Sequence, residues 1–346
     1  MIKVAVDAMG GDHAPGEIVK GAVEAVNECP DLIIYLVGRE QEIYQCLQGR
    51  NLPPRKIEIV PAADVIQNDD EPGLSVRKKQ DASMIVAQNM VKNETADAVL
   101  SAGNTGALMA GGLLILGRLP AVSRPALLTV IPTFNNESVV LLDVGVNMDA
   151  RPEQMCQYAL MGQIYARKVL NRPEPTVGLL NVGIEHNKGN EQARKAYELL
   201  KDHVSLFAGN VEANQLLDGV SDVVVCDGFI GNVVLKNMEG LSRGIFSSLK
   251  EEFSRNLFNM LGAGILSGSF RALQKKMDDS EYGGAPLIGL DGICIKCHGS
   301  ARAKAVKRAL TGQIHPLVQH GVTSAIQESL ITSNCARKGS TEYAGK

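Results

Sequence analysis

The sequence predicts an α/β fold in which helices cover both faces of a doubly wound, mostly parallel sheet. Short apolar runs recur along the chain, among them "VAVDAMGG", "LIIYLVG", "DAVLSAGNTG", "SVVLLDVGVN" and "DVVVCDGFIGN". Each run ends in Gly, Asn, Asp or Ser and is followed by apolar residues at helical spacing, which is typical of alternating strands and helices. In an open sheet of this kind, ligands bind beyond the carboxyl ends of strands.

The length of 346 residues is enough to bury a large core, and neither an internal repeat nor a low-complexity tract divides the chain. We therefore predict a single large α/β unit over residues 1–332. The stretch "NRPEPTVG" near 171–178 is a candidate sub-boundary. Residues 333–346 are polar and show no periodicity, which predicts a flexible tail.

Charge and targeting signals narrow the functional class. Lysine and arginine number 35 against 38 acidic residues, so the net charge of -3 predicts no nucleic-acid partner and any anion site must be local. The sequence has no apolar leader segment and no run of about 18 apolar residues, which favours a cytoplasmic protein without a membrane-spanning helix. It also lacks a P-loop, a dinucleotide fingerprint and a nucleophile elbow, so we predict no cofactor and no covalent serine mechanism.

The first strand end with chemical potential is "SAGNTGALMAGG" at 101–112. Ser101, Asn104 and Thr105 stand at a glycine-containing turn that opens an apolar helix. Free backbone N–H groups at such a turn attract an anion, although most turns of this type only cap the helix. Both interpretations stay open from this segment alone.

Two later strand ends carry charged residues. In "LLDVGVNMDARPEQM", Asp143, Asn147 and Asp149 could hydrogen-bond a hydroxyl or hold a metal ion, but no third ligand can be assigned, so we predict no metal site. In "NVGIEHNKGNEQARKA", Lys188 is either a fixed cation over a phosphate or part of a solvated loop before a helix.

The segments "CDGFIGNVVLK" and "DGICIKCHGSARAKAV" repeat the construction of a strand, a turn and a helix. Asp227 and Asn232 are the polar residues of the first segment. Lys296, His298 and Ser300 surround a glycine in the second. Each turn alone is a weak signal, but several of them on one sheet predict a ligand site.

The spacing of Cys294, Cys297 and His298 is the one that attaches haem in c-type cytochromes. Residues 292–297, however, are apolar and β-prone. In a strand, positions three apart face opposite sides of the sheet, so the two thiols could not reach one porphyrin edge. The sequence therefore argues against haem, and no second Cys/His pair nearby supports zinc.

Apolar residues recur at helical spacing through 249–277, from Phe253 and Leu257 to Met277, with Gly262 and Gly264 between them. The pattern predicts two amphipathic helices joined by a glycine-rich tip. Such a hairpin either packs in the core or a dimer, or it inserts apolar side chains into a membrane surface while basic residues contact lipid phosphates.

Six segments taken together carry a resemblance that no single motif carries. They are "VAVDAMGGDHAP", "SAGNTGALM", "LLDVGVNMDARPE", "GLLNVGIEHNKGNE", "VVVCDGFIGNVVLK" and "YGGAPLIGLDGICIKCHGSA", in this order between residue 2 and about residue 330. With them the chain resembles the bacterial phosphate acyltransferase family, the acyl-carrier-protein:phosphate transacylases of membrane phospholipid synthesis.

The resemblance implies transfer of a long-chain acyl group from acyl-acyl-carrier protein to inorganic phosphate. The acyl phosphate would then supply an acyl-phosphate-dependent glycerol-phosphate acyltransferase. The resemblance also implies a fold similar to the phosphate acetyltransferases and to the isocitrate and isopropylmalate dehydrogenases, with a protruding amphipathic helical hairpin. It implies a homodimer that associates peripherally with membrane phospholipid at the inner face of the cell membrane.

The predicted site combines these strand ends with what the reaction needs. Phosphate is already a competent nucleophile near neutral pH, so the protein must supply a cradle for the dianion and donors for the oxyanion. We assign catalytic roles to Lys188, Asn232 and His298. The remaining assignments are phosphate binding for Ser101, Asn104, Thr105 and Gly231, polar support for Asp7, Asp143, Asn147 and Asp227, and membrane contact for Leu257, Phe258, Leu261, Ile265 and Leu266.

The chain departs from the family pattern at two places. Cys297 stands where the family usually has Ser or Ala, and this substitution creates the haem-like spacing. His186 and Asn187 stand where other members often carry acids or a Lys, which leaves the role of His186 open. Two other classes also stay open, namely a metal- and NAD-dependent hydroxyacid dehydrogenase of similar fold and a non-catalytic membrane-surface scaffold.

Overall fold

The computed structural model describes residues 1–276 and 283–333, in which all strands join one sheet of eleven strands. The strands are β1 (Ile2–Asp7), β2 (Leu32–Gly38), β3 (Ile57–Pro61), β4 (Ala98–Ser101), β5 (Ala126–Pro132), β6 (Ser138–Leu142), β7 (Val177–Asn181), β8 (Phe207–Glu212), β9 (Val223–Val225), β10 (Ala285–Ile288) and β11 (Ile293–Lys296). Their order across the sheet is β3-β2-β1-β4-β11-β10-β5-β6-β9-β7-β8.

Helices connect most of the strands. They are α1 (Gly16–Glu28), α2 (Glu40–Leu47), α3 (Pro72–Lys78), α4 (Ser83–Lys92), α5 (Thr105–Gly111), α6 (Pro152–Lys168), α7 (Glu191–His203), α8 (Gly228–Phe253), α9 (Leu257–Lys276), α10 (Ala303–Arg308), α11 (His315–Gln319) and α12 (Val322–Thr332). Short 3-10 or π-helical turns occupy Gly112–Leu116, Ala213–Asp218 and Ala309–Ile314.

The sheet is mostly parallel, but its strand direction reverses in the middle. Strand β10 runs antiparallel to both of its neighbours, β11 and β5, and β5 runs antiparallel to β6. The remaining neighbouring pairs are parallel. Strands β1, β4 and β11 therefore end at one edge of the sheet, here the first edge, whereas β6, β7 and β9 end at the opposite, second edge.

The sheet is buried on both faces, which explains why its strands are nearly continuous apolar runs. In β1, Val4 and Val6 belong to one hydrophobic cluster, and Ala5 between them belongs to the other. Helices α1, α2, α6, α7 and α10–α12 cover the first face, and α3–α5 with the first part of α8 cover the second. The predicted doubly wound α/β fold is confirmed. The candidate sub-boundary at 171–178 leads into β7, which lies within the common sheet.

Helices α8 and α9 form a hairpin whose outer part is mostly exposed. Their contact includes the rings of Phe253 and Phe270, with centroids 4.4 Å apart. The turn lies at 254–256, because α8 ends at Phe253 and α9 begins at Leu257, so the prediction of a glycine-rich tip is wrong. Gly262 and Gly264 lie inside α9, where an added Cβ would meet nothing within 4 Å, so exposed helix tolerates them. None of the described helices combines the length and apolar character needed to cross a bilayer.

Met277 of the hairpin and residues 334–346 of the predicted tail lie outside the described residues. The cysteines show no framework of paired spacings, and Cys29, Cys46, Cys226, Cys294 and Cys297 are free thiols. Cys156 is instead disulfide-bonded, which the spacings did not predict.

Candidate active site

Three adjacent strand ends at the first edge bring polar side chains together. Asp7 ends β1, Ser101 ends β4 and Lys296 ends β11, and all three residues are buried. The Ser101 hydroxyl donates to Asp7 Oδ2 at 2.6 Å, and the Ser83 hydroxyl donates to Asp7 Oδ1 at 2.6 Å. We call Asp7, Ser83, Ser101 and Lys296 the first-edge cluster. Ser83 lies in the first turn of α4 and belongs to no motif, so no sequence signal pointed to it.

The two ionisable groups of this cluster are perturbed mainly by burial. Burial raises the pKa of Asp7, and the hydrogen bonds from Ser101 and Ser83 oppose this effect. Burial also lowers the pKa of Lys296, while the nearby charges of Asp7 and Asp12 act in the opposite direction. The Lys296 ammonium donates to two backbone carbonyls, Ala102 O at 3.4 Å and Cys297 O.

Close backbone approach joins the three loops that follow these strands. A Cβ added at Gly10 would lie 2.4 Å from Asp7 Oδ2 and 2.7 Å from Gly103 N, so this position requires glycine. The N–H of Asp12 donates to Gly299 O at 2.8 Å, which ties the loop after β1 to the loop after β11. The loops that follow β1, β4 and β11 are therefore held rigidly together at the first edge.

His298 is exposed on the loop that follows β11. Its Nδ1 lies 2.8 Å from the Ser300 hydroxyl and accepts the Ser300 N–H at 3.2 Å. A nitrogen that accepts an N–H carries no proton, so the neutral ring carries its proton on Nε2. The exposed Nε2–H can donate to an anionic oxygen.

Asn104 and Thr105 stand at the start of α5. The Asn104 side chain accepts the Ala107 N–H at 2.9 Å and donates to the carbonyls of 67, 68 and 70, at 3.1 to 3.3 Å. The Asn104 side chain therefore serves as a helix cap and a loop tether, so only backbone groups remain for a ligand. Thr105 is exposed at the first position of the helix.

A second polar cluster forms at the second edge around Asp143, which directly follows β6. Its two oxygens accept five donors, namely the N–H groups of Leu127, Gly145, Val146 and Asn147 and the side-chain amide of Asn147. Burial raises the pKa of Asp143, and these donors oppose the effect. Because these donors occupy its two oxygens, Asp143 holds the loop that follows β6 in place and is not available as a metal ligand. We call Asp143, Asn147, Asp227 and Asn232 the second-edge cluster.

The start of α8 packs against this loop. Asp227 caps the helix by accepting the Ile230 N–H at 2.8 Å, and burial raises the pKa of Asp227. A Cβ added at Gly231 would lie 1.9 Å from Asp143 O, so glycine is needed for the helix to approach the loop. The prediction of a Gly231–Asn232 turn with free amides is wrong, since α8 begins at Gly228 and the Gly231 N–H donates to Asp227 O at 3.0 Å. The Asn232 side chain lies close to Gly145.

Lys188 belongs to the loop that follows β7, also at the second edge. Its Nζ lies 3.8 Å from Glu185 Oε1, and half of the side chain is exposed. The backbone of this loop is held in place because Asn181 donates to Lys188 O at 3.2 Å. The next residues, Gly189 and Asn190, lead into α7, and Asn190 caps that helix by accepting the Ala193 N–H at 2.8 Å.

The haem-like spacing has a structural explanation. Cys294 and Cys297 are both buried, and they belong to the hydrophobic clusters on opposite faces of the sheet. Burial raises the pKa of each thiol to about 12, so neither is a thiolate near neutral pH. The sequence argument against haem is confirmed, because the two sulfur atoms point in opposite directions.

The family model described as "Fatty acid synthesis protein" matches residues 2–325. The chain belongs to this family. A phosphate acyltransferase from Brevibacillus brevis is 50% identical over 332 residues, which cover 95% of this chain and 97% of the relative. A phosphate acyltransferase from Thermoanaerobacter pseudethanolicus is 47% identical over 329 residues, covering 95% and 97%. The resemblance read from the six segments is confirmed.

Solved structures show a related fold for this fatty acid synthesis protein. A phosphotransacetylase from Streptococcus pyogenes superposes with a TM-score of 0.60 at 16% identity, covering 91% of this chain and 94% of the other. The EutD phosphotransacetylase from Staphylococcus aureus gives 0.58 at 14% identity, with the same coverage. At these identities the likeness concerns the fold alone, and it agrees with the predicted kinship to phosphate acetyltransferases.

The predicted site residues follow strands that run in two opposite directions. Asp7, Ser101, Asn104, Thr105 and His298 lie at the first edge. The residues at the second edge are Asp143, Asn147, Lys188, Asp227, Gly231 and Asn232. The expectation that one sheet edge gathers them is wrong, because strand direction reverses between β5 and β6.

The organising role of Asp143 is testable. Asp143→Asn should lower the free energy of unfolding by about 2 kcal/mol or more, because its amide N–H would face donors that the carboxylate accepts. Urea unfolding at pH 8 measures this. Asp149→Asn changes an exposed carboxylate on the same loop and should stay within about 0.5 kcal/mol of the wild type. Equal stability of both variants would contradict the assignment.

Proposed function

We propose that the protein transfers an acyl group from an acyl-carrier-protein thioester to inorganic phosphate and releases an acyl phosphate. The observation that carries the proposal is the match, over 95% of the chain, to relatives named phosphate acyltransferase. The acyl-carrier protein as donor, and a downstream acyl-phosphate-dependent glycerol-phosphate acyltransferase as consumer of the product, extend the proposal beyond those names.

The reaction makes defined demands on the site. A phosphate oxygen attacks the thioester carbonyl carbon, the tetrahedral intermediate collapses, and the C–S bond breaks as the thiolate leaves and takes up a proton. No strong base is needed, so catalysis depends on holding the dianion and on donors that meet the oxyanion. The His298 Nε2–H and the cationic Lys188 are suitable donors.

These two donors lie at opposite edges of the sheet, so we propose that a second copy of the chain unites them. An exposed apolar stripe supports a homodimer: Phe229, Val233, Leu241 and Ile245 fall at helical spacing along α8 and are 46 to 62% exposed. Burying such a stripe against a second copy would remove apolar area from water. In the proposed dimer, each site takes His298 from one chain and Lys188 from the other.

The assay that tests the function measures release of free thiol from acyl-acyl-carrier protein. We expect release that depends on added inorganic phosphate and yields acyl phosphate in equal amount. A hydroxyacid dehydrogenase would instead change nicotinamide absorbance, and a membrane scaffold would consume no thioester. Thiol release at the same rate with and without phosphate would contradict the proposal.

Lys188→Ala and His298→Ala should each lose most turnover with little loss of stability. If the sites are shared between chains, refolding the two variants together should restore about a quarter of wild-type activity, because half the dimers are mixed and one of their two sites is intact. Lys195→Ala, which changes an exposed lysine paired with Glu191, is the matched control and should keep full activity. Mixed dimers without activity would place the whole site in one chain.

We further propose that the hairpin binds the inner face of the membrane. Leu257, Phe258, Leu261, Ile265 and Leu266 of α9 are 51 to 87% exposed, which a water-facing helix would not favour. Arg255 and Arg271 are exposed along the same hairpin and suit contact with lipid phosphates. A lipid-forming product gives this contact a purpose, since it is released where it is used.

Replacing Leu257 and Leu261 by Asp should reduce binding to anionic phospholipid vesicles by about tenfold or more, because two apolar side chains no longer leave water. Vesicle sedimentation measures the bound fraction. Leu74→Asp, at a half-exposed leucine of α3, is the control and should bind as the wild type does. Unchanged binding of the double variant would reduce the hairpin to a packing element.

A further inference from the structure

Lys296 is a buried cation whose contacts differ from those of an ordinary ion pair. The residue is 8% exposed, and its ammonium donates to the carbonyls of Ala102 and Cys297. It forms no ion pair with a carboxylate of the described residues. Burying an ammonium costs free energy unless hydrogen bonds within the protein replace its lost hydration. The two acceptors belong to the loops that follow β4 and β11.

The direction of these carbonyls fixes the direction of two N–H groups. In a trans peptide unit, the C=O and the N–H point to opposite sides. The Cys297 carbonyl points inward to Lys296, so the N–H of His298 points away from the buried side. In the neighbouring loop, the Gly103 N–H donates to the buried Ser101 hydroxyl at 3.0 Å, so it is not open to a ligand. Among the described residues, the His298 N–H has no acceptor.

We propose that Lys296 is a positioning residue that holds the peptide unit between Cys297 and His298 with its N–H presented to inorganic phosphate. The inference rests on the proposed function, because phosphate is the substrate of that reaction. His298 then offers two donors to one ligand, its backbone N–H and its Nε2–H. The loop after β1 stabilises this arrangement, because the backbone N–H of Asp12 donates to Gly299 O at 2.8 Å.

The charges around Lys296 fit this role. Burial lowers the pKa of Lys296, the carboxylates of Asp7 and Asp12 act in the opposite direction, and Lys236 on α8 lowers it further. A phosphate dianion bound above the loop would add negative charge near the ammonium and favour its protonated form. Bound phosphate would therefore stabilise the charged ammonium of Lys296, and that ammonium would in turn hold the peptide unit that binds the phosphate.

Lys296→Met removes the ammonium and keeps the length of the side chain. We expect kcat/KM for phosphate to fall about 10²-fold, as when one preorganised donor is lost, with KM for the acyl thioester unchanged. Lys168→Met is the matched control, because Lys168 also donates to a backbone carbonyl, His320 O at 2.9 Å, at a site away from the strand ends. A folded Lys296→Met variant with wild-type kcat and KM for phosphate would overturn the inference, even if its melting temperature were lower.

A measurement on the wild type keeps the inference testable should the variant fail to fold. Labelling with 15N-histidine gives one backbone amide signal for each of the six histidines. The signal of His298 is identified by its loss in His298→Gln. Inorganic phosphate should shift that signal saturably, over the concentrations at which turnover saturates, and Lys168→Met should behave identically. A His298 amide signal that ignores phosphate would overturn the inference.

The two proposals fail in different ways. If the wild type releases no thiol in response to phosphate, the proposed function fails, and the titration of the His298 amide alone decides the role of Lys296. If the wild type turns over but its His298 amide does not respond to phosphate, the inference fails and the proposed function stands.

Discussion

The antiparallel pairing of β5 with β6 is the constraint on which the organisation of this protein depends. In a purely parallel sheet, all carboxyl ends would meet at one edge and gather their polar loops in one crevice. Here β10 is antiparallel to both of its neighbours, so β5 runs in the same direction as β11. The reversal from β5 to β6 leaves Asp7, Ser101 and Lys296 at the first edge and places Asp143 at the second. Each edge holds a complete polar cluster, yet the donors assigned to the reaction are divided between them. In the proposed dimer, the first edge of one chain and the second edge of the other supply these donors together.

Buried charges give both edges their rigidity. Asp7 and Asp143 each lose their hydrogen bonds to water on folding. The hydroxyls of Ser83 and Ser101 replace them for Asp7, and five N–H donors replace them for Asp143. A buried carboxylate satisfied in this way leaves little freedom to the loops that supply its donors. Glycines at 10 and 231 allow the close approach. The protein thus holds rigidly the loops that the proposed reaction would use, as catalysis by preorganised donors requires.

The sequence predicted the strands, their burial on both faces and the polar residues at their ends, because these depend on local patterns with a period of 2 or 3.6 residues. The opposed directions of Cys294 and Cys297 also followed from that period. Strand direction was not predicted, although the reversal has a local signal: only residues 133–137 join β5 to β6, which is too short for the crossover that a parallel pair needs. Asn232 was placed in a turn because the Gly231–Asn232 pair looks like one, whereas Asp227 caps the helix earlier. Ser83 could be found only in three dimensions.

Helix α8 connects these parts physically. It is 26 residues long, which corresponds to roughly 39 Å. Its first turn packs on the Asp143 loop, Lys236 two turns later lies close enough to Lys296 to lower the pKa of that lysine, and its far end carries the hairpin with α9. The second-edge cluster, the electrostatic surroundings of Lys296 and the hairpin are therefore linked through one helix of the same chain.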